Sequence, residues 1–282
     1  MPWYFYALLS ALIFAVQDLL MRVLAVKSDV PRAFSVVFNL WGAFFAILAF
    51  IIQGGSFSQL SKLTPLNILF ITSTIILYGL YERYQFSARK GIDASSLSII
   101  FRLSTVLAFI GSIVFLRELL TLEKIIGATL IIGASGLLLY KNIHLKRTRS
   151  LGLAFLCSTF LGIAWVLDKP ASAHIQPALY SFLVWCIPIF IIVFPKIQIQ
   201  QIRKEFYIGG WKVAFAALLN VIGFILYIQA FSLADASRVI PTVSINGILI
   251  VLGGIIILKE HNHIWRKIFA AIIAFIGVYL LR

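Results

Sequence analysis

The stretch ARKGIDASSLSIIFRLSTVLAFIGSIVFLRE, residues 88–118, is written a second time at 230–260 as AFSLADASRVIPTVSINGILIVLGGIIILKE. At this offset of 142, Asp93-Ala94-Ser95 returns as Asp235-Ala236-Ser237, and Leu107, Gly111 and Ile113 return as Leu249, Gly253 and Ile255. Arg117-Glu118 returns as Lys259-Glu260. The echo continues through Ile126, Ala128, Ile131, Leu138 and Leu139, which meet Ile268, Ala270, Ile273, Leu280 and Leu281. Each copy reads as a short polar turn, an apolar run of about 20 residues, a charged hinge and a second apolar run. An uncharged helix of that length spans the hydrocarbon of a bilayer.

Composition agrees. The 282 residues are 61% hydrophobic and 12% charged, with a mean hydropathy of +1.02. Soluble domains carry about 25% charged residues, so this is a polytopic membrane protein with no polar stretch long enough for a separate soluble domain. Strands would have to close into a barrel of weakly alternating segments, whereas these apolar runs are continuous, which makes the architecture all-α. In a soluble chain the net charge of +14 would suggest nucleic acid; here Lys and Arg collect in the loops, and no nucleic-acid partner is expected. Cys157 and Cys186 lie in apolar runs and support neither a disulfide framework nor a metal site. His261-Asn262-His263 lacks a third ligand on a helix face and reads as a solvated loop. No Lys or Arg precedes the first apolar run, so that run is a retained helix and not a secretory signal.

The hydropathy pattern predicts ten transmembrane helices, near 3–26, 33–52, 66–89, 95–116, 124–140, 150–173, 178–195, 211–233, 238–258 and 264–281. They divide into two five-helix repeats, 1–146 and 147–282, joined across the basic segment Lys141 to Arg149. The first helix also returns: Ala15 through Arg22 matches Gly162 through Lys169. An odd number of helices per repeat sends the second repeat in from the opposite side, so the repeats are inverted, an arrangement typical of secondary transporters. Pro170, Pro188 and Pro241 are candidate kinks. Gly127, Gly133, Gly136, Ala270, Ala274 and Gly277 form small faces on helices 5 and 10, suited to packing within the chain or to a homodimer contact.

Charges within the apolar runs mark the candidate site. Asp18, Arg22, Glu82, Arg83 and Arg102 would each cost about 2.5–3.5 kcal/mol facing lipid, so they should face the interior, a partner or water. Asp18 and Arg22 share one helix face and can satisfy each other. Tyr78 and Gln85 lie on the face of Glu82, and Trp165 and Asn246 are candidates from other helices. Together these residues suit a polar substrate cavity, with Arg groups for an anionic part and a carboxylate for a cationic part or a proton. Glu82 is expected to approach Arg102, because both are too deep to reach bulk water.

The pattern resembles the drug/metabolite transporter superfamily, in the ten-helix branch built from two EamA repeats. The resemblance rests on the acid ending each fourth helix (Glu118, Glu260), the base late in each first helix (Arg22, Lys169), the DAS turn before each fourth helix and the small-residue last helices. It covers essentially the whole chain. Many members carry a proline about 13 residues before the repeat Glu, where this chain has Thr105 and Gly247. The resemblance implies a secondary transporter of a small polar metabolite, such as an amino acid or a nucleotide-like compound, working by alternating access in the inner membrane without a cofactor. No Walker-type motif supplies an ATPase engine. The alternative, a membrane enzyme acting on lipid or prenyl phosphates, would need clustered acids or a motif such as HExxH or GxSxG, and none is present. Lys and Arg divide 15 against 6 between the loops of the two sides, with Arg22, Arg83 and Arg102 left within the membrane. The positive-inside rule then places both termini outside, whereas the resemblance implies cytoplasmic termini.

Overall fold

The computed structural model describes residues 1–91, 94–139, 149–250 and 264–281. The protein is all-α, and no strand occurs among the described residues. Helices α1 Trp3–Lys27, α2 Pro31–Ile52, α3 Pro65–Gly91, α4 Ala94–Phe115 and α5 Leu122–Leu139 make up the first half. The second half holds α6 Arg149–Ser172, α7 Pro177–Cys186, α8 Pro188–Val193, α9 Ile199–Phe231, α10 Ala236–Val243 and α11 Ile264–Leu281. Among the described residues, five helical stretches are long and apolar enough to cross a membrane, namely Trp3–Met21, Pro31–Ile52, Pro65–Lys90, Arg149–Ser172 and Ile199–Phe231. Shorter apolar helices cover Ile100–Phe115, Pro177–Val193, Ala236–Ile250 and Ile268–Leu281.

Proline and glycine set the interruptions. Pro188 cannot donate to the helical ladder, and the seventh predicted helix divides there into α7 and α8. The eighth begins earlier than the sequence predicts: residues 199–209 are helical, and Gly210, at φ 52°, bends the chain between them and the apolar run that follows. Only glycine adopts that conformation without a Cβ clash. The early segment is fixed because Phe206 stacks on Trp41 and the Glu205 carboxylate accepts the Val30 N–H at 2.6 Å. Pro241 lies inside α10, which gives way to a turn at 244–245 before helix resumes at 246–250.

The halves interleave. α3 packs mainly on α6, α1 on α9, α4 on α6 and α10, α2 on α9 and α7, and α5 on α11. Close approach has a visible cause at α5 and α11. A Cβ on Gly127 would stand 2.8 Å from the Gly277 carbonyl, and one on Gly277 would stand 2.7 Å from that of Gly127. Gly127 and Gly277 are therefore used for packing within the chain, whereas a Cβ on Gly133 or Gly136 would meet nothing within 4 Å.

Polar contacts tie the helix ends into two groups. At one end Lys90 donates to the Ser28 carbonyl, Lys204 pairs with Asp29 at 2.6 Å, and Arg32 donates to the carbonyls of Ile192 and Pro195. At the other, Gln59 accepts the Gln176 N–H, and Glu118, Lys124, Lys169 and Asp235 form one cluster.

Candidate functional site

A polar group is enclosed between α1, α3, α4 and the turn after α10. Asp18 of α1 faces Arg89 of α3 at 3.6 Å. Arg89 also donates to Gln85 Oε1 at 3.2 Å, and Asn246 approaches Asp18 at 3.5 Å. From α4, Arg102 donates to the Ser244 carbonyl at 2.6 Å. That carbonyl belongs to the break between α10 and residues 246–250, where non-helical backbone needs a partner other than lipid. Gly247 makes the docking possible, because a Cβ there would overlap the Arg102 guanidinium. The position without a side chain is thus where an arginine from the other half is seated.

Four of the sequence-selected residues, Asp18, Gln85, Arg102 and Asn246, come together in this group. Glu82 does not pair with Arg102. It is buried on the α2 side of α3, where Asn39 Nδ2 donates to its Oε2 at 3.0 Å and Ser35 bonds its backbone carbonyl. The reason is rotation: α3 packs on α2 and α6 and has little contact with α4, so Glu82 and Arg102 face different neighbours. The cation facing Asp18 is Arg89. It lies near the end of α3, and by sequence it reads as a loop residue.

Arg83 is displaced from the site altogether. Its guanidinium donates to the carbonyls of Ile191 and Phe194, where it closes the end of α8 beside an open groove lined by Leu80, Tyr84 and Phe190. Carbonyls at a helix C-terminus lack intrahelical donors, and an arginine is a good substitute. The side chain of Arg22 lies outside the described residues, as do Asp93, Glu260 and the His261-Asn262-His263 segment.

Tyr78 and Trp165 enter a second cluster that the sequence reading missed. Asp168, with no exposed surface, accepts the hydroxyl of Tyr78 on Oδ2 and that of Tyr180 on Oδ1, each at 2.6 Å. Phe224 stacks on Tyr180 and meets Tyr78 edge-on, and Tyr227 packs against Trp165 and Phe231. One signal could have found Asp168: an acid inside an apolar run is a functional candidate in itself. Its neighbours Lys169 and Pro170 made it look like part of a helix end.

At the second end, Glu118 accepts the N–H groups of Ala236 at 2.7 Å and Ser237 at 2.9 Å, and so caps α10 from the other half. Lys169 donates to Glu118 Oε1, the Ala234 carbonyl and Asp235 Oδ1, which uses all three ammonium protons. Lys124 is buried and meets Asp235 at 2.8 Å. Burial opposes ionisation of the Asp235 carboxyl, but hydrogen bonding and charge from Lys124, followed by Lys169, outweigh it and hold the group below the usual carboxylate range.

Comparison with known proteins places this geometry. The model of the EamA-like transporter family matches the chain twice, at residues 1–140 and 148–282. A solved structure titled only "Crystal structure of protein" superposes with a TM-score of 0.73 over 98% of this chain and 95% of that chain, at 15% identity, a likeness of fold alone. Among curated proteins none matches the sequence.

Proposed function

We propose, from the premise that the chain belongs to the EamA-like transporter family, that it moves a small zwitterionic metabolite such as an amino acid by alternating access. The membership makes it a multi-pass membrane protein of the drug/metabolite transporter type. The observation that carries the finer reading is the Asp18, Arg89, Arg102 and Asn246 group, which holds one acid, two bases and an amide at the break of a helix. Broken helices at a repeat interface are where transporters bind solutes. In this reading Arg102 and Arg89 take the substrate carboxylate, Asp18 takes the ammonium, and Asn246 and Gln85 set orientation. Glu82 and Tyr78 fix α3 against its neighbours, and Trp165 packs against Tyr227.

Ten transmembrane helices in two inverted repeats, 1–146 and 147–282, fit the two family matches. They fit the packing as well: exchanging the halves turns the α3–α6 contact into α1–α9 and returns α5–α11 to itself. The Glu118–Lys169–Asp235–Lys124 cluster joins the halves at one end and supports a closed gate there. In this reading the protein lies in the inner membrane with its termini outside, as the distribution of Lys and Arg over the loops favours.

Uptake of a labelled amino-acid panel into proteoliposomes tests the reading. The wild type accumulates or exchanges at least one member, and Arg102→Ala raises its KM tenfold or more. Removal of a charge-assisted hydrogen bond of about 1.5–3 kcal/mol predicts a change of that order. Equal uptake by empty vesicles for every solute would refute it.

A further inference from the structure

Asp168 is a buried acid that no base faces among the described residues, and both donors to its carboxylate are tyrosine hydroxyls. Elsewhere the buried or half-buried carboxylates of Glu118 and Asp18 meet Lys169 and Arg89. The groups around Asp168 are all neutral: Tyr78 from α3, Tyr180 from α7 and Tyr227 from α9. The one base beside it in sequence, Lys169, is turned to Glu118, Asp235 and the Ala234 carbonyl, so the charged groups carried by the α4 end and the α10 start are already engaged with that lysine.

A buried carboxylate without a cation costs several kcal/mol, and the usual escape is to take up a proton. The surrounding hydroxyls suit both forms. An ionised carboxylate only accepts, and it has Tyr78 and Tyr180 as donors. A carboxylic acid must also donate. Tyr227, 3% exposed, has a hydroxyl with no hydrogen-bond partner among the described residues, and it interacts with this same carboxylate. Tyr180 in turn neighbours the Thr74 hydroxyl, which donates to the Phe70 carbonyl at 2.8 Å.

We propose that Asp168 is a reversible proton-binding site that couples a proton gradient to the movement of the halves. The coupling clause rests on the transport reading above; the proton site does not. When a proton from water adds to one Asp168 oxygen, that oxygen becomes a donor, for which the Tyr227 hydroxyl is an acceptor, and a weaker acceptor for the tyrosine that donates to it. Loss of the proton restores both oxygens as full acceptors. Tyr78 belongs to the first half, and Asp168, Tyr180 and Tyr227 belong to the second. Protonation therefore loosens a tie between α3 and the α6–α7 pair. The occupant is a proton and not an organic cation, because Asp168 and Tyr180 have no exposed surface and both carboxylate oxygens are already engaged.

The test uses purified full-length protein. In pH-difference infrared spectra the wild type should show a carboxylic-acid C=O band that rises and falls with pH. Asp168→Asn should lack it, and Asp168→Glu should restore it. If Asp168→Asn does not fold, Tyr227→Phe serves instead: it keeps the acid and removes one hydroxyl, and it should move the same band. In proteoliposomes Asp168→Asn should lose accumulation driven by an imposed pH gradient while keeping exchange of the amino acid found above. A band that survives in Asp168→Asn, or one unmoved by Tyr227→Phe, overturns the site; accumulation that follows a sodium gradient and ignores pH overturns the coupling. A wild type that shows the band yet moves no solute supports the proton site and sinks only the transport reading.

Discussion

At the scale of single residues, the fit between Gly247 and Arg102 is the sharpest constraint. Arg102 reaches the Ser244 carbonyl across a position where any Cβ would overlap its guanidinium. Gly247→Ala should therefore unseat Arg102 and depress uptake as strongly as Arg102→Ala, with normal expression. Gly133→Ala is the control, since nothing lies within 4 Å of a Cβ there. Equal uptake by the two glycine variants would show that the docking is immaterial. Asp235 gives a prediction about pH. Its folded-state pKa is depressed by Lys124 and Lys169 against the opposing effect of burial. The stability it contributes is thus fully present above its unfolded value, about 3.9, and is lost as pH falls through the lower folded value. Thermal stability of the wild type and of Asp235→Asn should differ by a constant amount from pH 5 to 8 and converge only in stronger acid. A gap that closes near neutrality would mean that another group governs this end.

At the scale of elements, α10 shows how one half completes the other. Its first turn has no side-chain cap of its own; the Ala236 and Ser237 N–H groups are satisfied by Glu118 from the opposite half. Loss of such a cap costs about 0.5–2 kcal/mol, so Glu118→Ala should lower the thermal midpoint in detergent measurably. Lys169→Ala should add less to that variant than it takes from the wild type, because the two side chains share one network. Additive losses would separate them. Most helix positions among the described residues were legible in the sequence, because continuous apolar runs and prolines are local signals; the early start at Ile199 was not, since Phe206 and Glu205 are held by Trp41 and Val30. Facing was not. Helical period alone put Glu82 and Arg102 in the membrane but could not say that α3 turns Glu82 toward Asn39 while α4 turns Arg102 toward Ser244. In a chain this apolar, both lipid-facing and buried faces read as hydrophobic, and the rotation of each helix is fixed only by its neighbours. Arg83 misled for the same reason: its partners are backbone carbonyls of α8, which carry no sequence signature.

At the scale of the whole molecule, the two ends differ in what they hold. Lys90, Lys204 and Arg32 gather at the end near Asp29, and the Arg89–Asp18 pair lies just inside that end, because Arg89 is in the last turn of α3. The other end holds the Glu118 cluster, with acids and bases in closer balance. Lys and Arg favour the first end by 15 to 6 across the loops assigned to each side. Basic loops are retained in the cytoplasm, so the first end should be cytoplasmic and both termini external. A phosphatase fused after Arg282, active only outside, should then be active, and a fluorescent protein that matures only in the cytoplasm should be dark. The orientation also decides which solution reaches the proposed substrate group. With the first end inside and the Glu118 cluster closing the second, Asp18 and Arg89 load from the cytoplasm. A membrane-impermeant thiol reagent added outside intact cells should leave Asp18→Cys unmodified, while the same reagent should label it in inverted vesicles. Labelling from outside only, together with a fluorescent C-terminal fusion, would reverse the assignment and make this conformation the outward-open one.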